Sequence, residues 1–261
     1  MTSHGDGFTF GAYEELLAAG QRSGYEFLTV REYLQGPLPE RFVVVRHDVD
    51  RKPENARDMA RLEAEHGIAS TYYVRTIPKT FDPGLLEELA SLSHEVGYHY
   101  EDLDRADGDR EAAMESFASE LARIRSVVPV DTVCMHGNPL TPHDNRDIWG
   151  DDPERTFDEF DLLGEAYLSM DFTDVTYFSD TGRTWRDGTL KIKDHTVGED
   201  SKSTEVEATT ELISLLETGT VERVCLLVHP NRWARTYPEL VAESTKDAVI
   251  NAGKHALNLI R

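Results

Sequence analysis

Short apolar runs alternate with longer amphipathic stretches along most of the chain. Phe42–Val45 is a β-branched run of the kind a buried strand requires. Pro53–His66 then places Ala56, Met59 and Leu62 on related faces behind an early proline, which predicts a helix. Ala69–Val74 predicts a second strand. Asp82-Pro83 has the form of an N-cap followed by a first-turn proline, and Leu85, Leu89 and Leu92 continue that helix at spacings of four and three. Val96–Tyr98 predicts a third strand. Asp109 can cap a helix with the stripe Met114, Phe117, Leu121 and Ile124, and Thr132–Met135 predicts a fourth strand. Later strands are expected at Val175–Phe178, Leu190–Ile192 and the strongly apolar Val224–Val228. Helices are expected at Val206–Leu216 and from about Pro238 onward. Tyr13–Leu17 is expected to be a helix packing outside this core, within an N-terminal helical extension over about residues 1–38. The acidic, irregular stretch His143–Asp161 reads as a loop or insertion.

Strand–helix alternation of this kind implies parallel strands joined by helical crossovers. Six to eight such units predict a single α/β domain over residues 1–261, a distorted or incomplete (β/α) barrel of about seven parallel strands. A doubly wound open sheet is the alternative. No Gly-rich phosphate loop follows any strand, so a nucleotide site of the usual kinds is not supported.

Charge narrows the partners. The 49 acidic and 27 basic residues leave a net charge of −22, which repels phosphate backbones and anionic headgroups and argues against nucleic-acid and membrane partners. No apolar run is long enough to span a bilayer. Only 7 of the basic residues are Lys, a balance that suits either a high-salt (halophilic) cytosol or a surface shaped by a cationic partner, and the spread of the acids along the whole chain favours the first. MTSHGDGFTF has no basic segment followed by an apolar run, so a cytoplasmic location is expected. Cys134 and Cys225 sit in apolar runs and read as buried thiols.

The chemistry gathers where the apolar runs end. Phe42–Val45 leads into Arg46-His47-Asp48-Val49-Asp50, Val96–Tyr98 into His99-Tyr100-Glu101, and Thr132–Met135 into His136-Gly137-Asn138-Pro139. Val175–Phe178 leads to Ser179-Asp180, and Val224–Val228 to His229-Pro230-Asn231-Arg232-Trp233. Parallel α/β folds bind ligands at the carboxyl ends of their strands, so five strands deliver His or Asp to one rim. Asp48 and Asp50, two apart, point the same way on an extended segment, and two carboxylates side by side need a cation or a proton between them. Each group also has a plainer reading. The Asp pair can be salt-bridged by Arg46 and Arg51, His99 can be a hydrogen-bonded core histidine, His136 a turn residue, and Asp180 an ion-pair partner of Arg183. Trp185 and Trp233 are either core residues or rim aromatics that stack on a sugar ring. His94 suits a capping or packing role.

At these residues the chain resembles the polysaccharide deacetylase superfamily, the NodB-homology fold of carbohydrate esterase family 4, over roughly residues 40–235. Asp48 and Asp50 match its first motif, which implies a base and a metal ligand. Ser93-His94-Glu95-Val96-Gly97-Tyr98-His99 resembles the stretch leading to its first metal histidine, which implies that role for His99. His229 matches its general acid, and Asp180 with Trp185 the segment supporting that acid. Two departures stand out. The usual second metal histidine falls on Leu103, and the third motif, which usually begins with Arg, reads His136-Gly137-Asn138-Pro139. His136 is then the simplest third ligand, with Glu101 next. The resemblance implies a divalent metal, often zinc, on Asp50 and His99, with His136 added on chemical grounds, and hydrolysis of an amide C–N bond. The substrate it implies is an N-acetylated amino sugar, for which a cytosolic location favours a glycan precursor; Asp180, Arg183, Trp185 and Trp233 are the candidate residues around it. A non-catalytic sugar-binding protein and a metal-free cyclic amidohydrolase are the other readings.

Overall fold

Strand and helix alternate throughout the computed structural model, which describes residues 7–187, 191, 193–196, 202–243 and 245. The strands are β1 (Glu26–Leu28), β2 (Phe42–Val49), β3 (Thr71–Val74), β4 (Glu95–Tyr100), β5 (Thr132–Met135), β6 (Gly164–Glu165), β7 (Thr176–Ser179) and β8 (Arg223–Val228). The helices are α1 (Phe10–Arg22), α2 (Val30–Gln35), α3 (Pro53–Glu65), α4 (Pro83–Ser91), α5 (Asp102–Arg105), α6 (Arg110–Arg125), α7 (Pro153–Glu159) and α8 (Thr209–Thr218). Their starts follow from local chemistry. Asp82 and Asp109 accept backbone N–H groups of the first turns of α4 and α6, and Pro53 and Pro83 occupy first-turn positions where no N–H is needed.

Every strand pairing is parallel, and the sheet runs β6-β5-β4-β3-β2-β8-β7, with β1 beside the first half of β2. Laid flat, the six steps from β6 to β7 would hold the two ends about 29 Å apart. Instead Tyr167, just past β6, and Tyr177 on β7 bring their hydroxyls to 3.2 Å. The sheet therefore curls around on itself without β6 pairing to β7, an incomplete (β/α) barrel. Arg46 on the central strand β2 fills the interior, its guanidinium 4.1 Å from the Tyr167 ring centre and 5.9 Å from that of Tyr177. Gly97 lets neighbouring β3 and β4 approach, because a Cβ there would collide with the Tyr73 ring.

Several expectations change on contact with the fold. The N-terminal stretch is part of the barrel, not an outer extension: β1 joins the sheet, and α1 buries Tyr13, Leu16 and Leu17 completely. Residues 143–161 are not one loop. Asp144 caps a 3₁₀ turn, Asn145–Trp149, and Asp152-Pro153 starts α7, which buries Phe157. Strand β2 runs on to Val49, so Asp48 lies within it rather than after it. Residues 237–243 are helical, as expected from Pro238. Of the strand expected at Leu190–Ile192, both end residues lie outside the described residues, as does the chain beyond 245. Cys134 and Cys225 are buried free thiols. Among the described residues no helix is long and apolar enough to cross a membrane.

Alternation along β2 sends Arg46 and Asp48 inward and His47 outward against α3. There Glu63, fully buried, accepts hydrogen bonds from the Tyr13, Ser70 and Tyr72 hydroxyls and pairs with His47 Nε2 at 2.6 Å. Burial alone would raise this carboxyl. His47 above all, then His94 and the Ser70 hydroxyl, bring it down to about 2. A depressed carboxyl stabilises the fold above its unfolded value and loses that contribution on acidification. Glu63 is thus expected to contribute about 3 kcal/mol at neutral pH, lost progressively as pH falls from about 4.5 toward about 2. In urea unfolding, Glu63→Gln should lower stability at pH 7 by a few kcal/mol, about 3, and flatten the acid dependence. An unchanged pH slope would remove this role.

Candidate active site

The carboxyl ends of β2, β4, β5 and β8 meet around a cavity of about 130 Å³ whose lining includes Asp48, Asp50, His99, His136 and His229. Asp50 Oδ1 lies 3.5 Å from His99 Nε2 and 3.0 Å from His136 Nδ1. Ligand atoms about 2.1 Å from a tetrahedral ion sit about 3.4 Å from one another, so these three donors fit one divalent cation. His99 Nδ1 is 3.0 Å from the Cys134 carbonyl, a contact that requires it to donate and leaves Nε2 as the lone pair facing Asp50. Asp50 Oδ1 is buried without a well-oriented hydrogen bond, which is how a ligand oxygen would be left. Burial would raise the Asp50 carboxyl, but the His136 and His99 rings hold it well below the usual carboxylate range.

Asp48 is the second carboxylate. Its Oδ2 is 3.7 Å from both His99 Nε2 and the Arg46 guanidinium, and its Oδ1 is buried with no hydrogen-bond partner. Arg46 is completely buried and none of its three nitrogens makes a hydrogen bond, so its charge faces Asp48 and the tyrosine rings. At the end of β8, the strand beside β2, His229 Nδ1 meets Asp180 Oδ1 at 2.7 Å, while the His229 backbone N–H and Trp233 Nε1 both donate to Asp180 Oδ2, at 2.8 and 2.7 Å. Burial and then Arg232 push the His229 imidazole down. Asp180 and Asp50 outweigh them and raise it above the ordinary histidine value.

A scan of protein-family models gives no match for the chain, and a search of curated proteins gives none either. Solved structures do resemble it. The chain is similar in structure to carbohydrate esterases of family 4. One is an esterase from Bacillus anthracis, at 12% identity and a TM-score of 0.38 over 93% of this chain and 86% of that one. A second is PdaA of Bacillus subtilis, at 11% and 0.38 over 89% and 82%. A third is a mutant, with restored enzymatic activity, of a family 4 pseudoenzyme from Bacillus anthracis, at 11% and 0.39 over 84% and 68%. At 11–12% identity the site has to be read from its own side chains.

Other candidates lie elsewhere. Trp185 and Trp233 are 0% and 1% exposed, packed with Phe8 in the core, and offer no ring face to a sugar. The plainer reading of both holds. Asp180 is fully buried and bonded through both oxygens, to His229 and Trp233, so it sits behind His229 rather than open to the cavity. Arg183 donates from Nε to the Arg232 carbonyl at 2.9 Å, and it is Arg232, not Arg183, that approaches the Asp180 carboxylate, at 3.7 Å. Leu103 is buried in the core. Glu101 pairs with Arg75 and Arg105 and stays 3.9 Å from His136 Nε2, behind the ring rather than beside the donors. His94 spans the Ser70 backbone N–H and the Ala60 carbonyl, the packing role its position suggests.

Two groups at the site escape the sequence reading. Asp194 lines the cavity and accepts from the Tyr167, Tyr177, Ser179 and Thr181 hydroxyls. Burial opposes its ionisation, yet His229 and those hydroxyls hold it well below the usual range. Asp194 follows the apolar run expected at Leu190–Ile192, so the same strand-end rule points to it. Arg46 reads as a simple salt-bridge partner in sequence, and only the curled sheet puts it beneath Asp48.

Proposed function

We propose that this protein hydrolyses an N-acyl amide of an amino sugar, most simply an N-acetyl group, with a divalent metal held by Asp50, His99 and His136. One observation carries the reading: a three-donor set of cation-binding geometry shares a small cavity with a spare carboxylate, Asp48, and an Asp-oriented histidine, His229. A divalent ion on those donors supplies Lewis acidity to the acyl carbonyl. Zinc suits the two-imidazole, one-carboxylate set.

The chain's own residues do the proton work. Asp48 takes a proton from the attacking water as its oxygen bonds to the carbonyl carbon. His229, protonated, delivers a proton to the amine nitrogen as the C–N bond breaks, giving a free amine and a carboxylate. Arg46 keeps a positive charge beside Asp48. Asp180 fixes the ring orientation of His229 so that Nε2 serves the substrate.

The test is acetate release from a panel of N-acetylated amino sugars by metal-loaded protein in molar salt. Release from at least one sugar, lost on chelation, is expected. Sugar binding without release would favour a non-catalytic binding protein, and release that survives chelation a metal-free amidohydrolase. A general acid is active only when protonated, so kcat/KM should fall as pH rises through the His229 pKa, with the limb above pH ~6.5. In Asp180→Asn that limb should move to lower pH and the plateau drop about 100-fold. A limb that stays in place would take the acid role from His229.

A further inference from the structure

We propose that the pocket reads an anionic group, a carboxylate or a phosphate, on the amine-bearing side of its substrate, with the Arg232 guanidinium as the reader. This rests on the hydrolase reading above, which places the leaving amine at His229.

Local geometry puts Arg232 there. Pro230 starts a 3₁₀ turn, Pro230–Arg232, just after β8, and the Arg232 N–H closes it onto the His229 carbonyl at 2.8 Å. The turn brings Arg232 back beside His229. Both reach the same oxygen, Asp180 Oδ1, His229 Nδ1 at 2.7 Å and Arg232 Nε at 3.7 Å, and both line the cavity.

Arg232 is only loosely held: its one ion pair among the described residues is the 3.7 Å approach to Asp180. Its side chain is only 22% exposed, and none of its three nitrogens has a hydrogen bond among the described residues. Asp180 does not complete it: Oδ1 takes its hydrogen bond from His229 Nδ1 and stands 3.7 Å from Arg232 Nε, beyond hydrogen-bond reach. None of the other cavity acids forms an ion pair with Arg232 among the described residues: Asp194 accepts from four hydroxyls, Asp50 lies against two imidazoles, and Asp48 lies beside Arg46. The second basic residue of the lining, Lys193, spends its ammonium on the Thr141 and His143 carbonyls and the Thr141 hydroxyl, bracing the loop after Gly137. A mostly buried planar fork with open donors is built for bidentate pairing with a carboxylate or phosphate. That one such fork is kept at the reaction cavity of a chain carrying −22 charges points to a ligand that brings its own negative charge. Its position next to the proton donor, rather than the metal-donor set, places that charge on the sugar and not on the acyl group.

Binding to metal-loaded Asp48→Asn, measured by calorimetry at fixed ionic strength, separates recognition from turnover. The probes are N-acetylglucosamine, its 1- and 6-phosphates, and an N-acetylated aminouronic acid. At least one anionic probe should bind about 10- to 100-fold tighter than the neutral sugar, and the tighter arm tells phosphate from carboxylate. Asp48→Asn/Arg232→Gln should erase that preference, while Asp48→Asn/Arg232→Lys, which keeps the charge and loses the fork, should retain part of it. Circular dichroism verifies that each variant is folded. Anionic probes that bind no tighter than the neutral sugar, or not at all, or a preference that survives Arg232→Gln in folded protein, would overturn the proposal. An Arg232-dependent preference in a protein whose wild type releases no acetate would leave this proposal standing and remove the hydrolase reading instead.

Discussion

Asp48→Asn is expected to lower amide hydrolysis by about 10³-fold while the protein still binds its metal. Asn is nearly isosteric and keeps a side-chain oxygen, so the change removes proton affinity and little else. General-base contributions of about 10²–10⁴ set the size of the loss. Retention of metal is the informative half. Asp48 Oδ2 stands 3.7 Å from His99 Nε2, farther than Asp50 Oδ1 at 3.5 Å, and it lies outside the set formed with His136. Asp48 does form a second close group with His99 and Cys134. The Cys134 thiol, however, is fully buried and pushed far up by that burial, which makes it a poor thiolate ligand. Removing the Asp48 charge also leaves the buried Arg46 without its nearest carboxylate, so a loss of stability of up to about 3–5 kcal/mol should accompany the kinetic loss. Comparing metal content, melting temperature and kcat for the two proteins separates these effects. An Asp48→Asn enzyme that keeps its activity would assign the base elsewhere.

The second large effect is expected from His136→Ala. Here the metal itself is weakened, because two protein ligands hold zinc poorly where three plus water hold it well. Affinity should fall by at least about 100-fold, and activity at limiting metal should fall with it. Excess metal should restore part of the activity, since Asp48, His229 and Asp180 stay in place. In the proposed site His136 takes the third ligand position. It reaches Asp50 because its backbone N–H is bonded to the Tyr100 carbonyl at 2.7 Å and its carbonyl accepts from Asn145 at 2.9 Å. Glu101→Gln should be much milder, because Glu101 stands behind the ring with Arg75 and Arg105. If Glu101→Gln strips the metal and His136→Ala does not, the third ligand has been misassigned.

Much of this architecture is legible in the sequence for identifiable reasons. Thr132–Met135 forms β5 end for end, and Pro53 and Asp82-Pro83 mark their helix starts, because short-range sterics and capping decide those features. The rule that ligands gather at strand ends picks out Asp48, Asp50, His99, His136 and His229, all of which line one cavity. Reading fails where long-range packing decides. Trp185 and Trp233 neighbour polar site residues in sequence, yet each points into the core against Phe8. Arg46 enters the site only because the sheet curls until Tyr167 and Tyr177 enclose it. His143–Asp161 is a different failure. Its caps, Asp144 and Asp152-Pro153, are written in the sequence, but a high density of acids masks them as a solvated loop.

The central claim is that one divalent ion on Asp50, His99 and His136 makes this site an amide hydrolase. Titrating metal into chelator-stripped protein in molar salt, with acetate release followed at each step, tests it most directly. Activity is expected to rise in proportion to occupancy and to saturate at one ion per chain. Full acetate release at less than about a tenth of an equivalent of any divalent metal would contradict it.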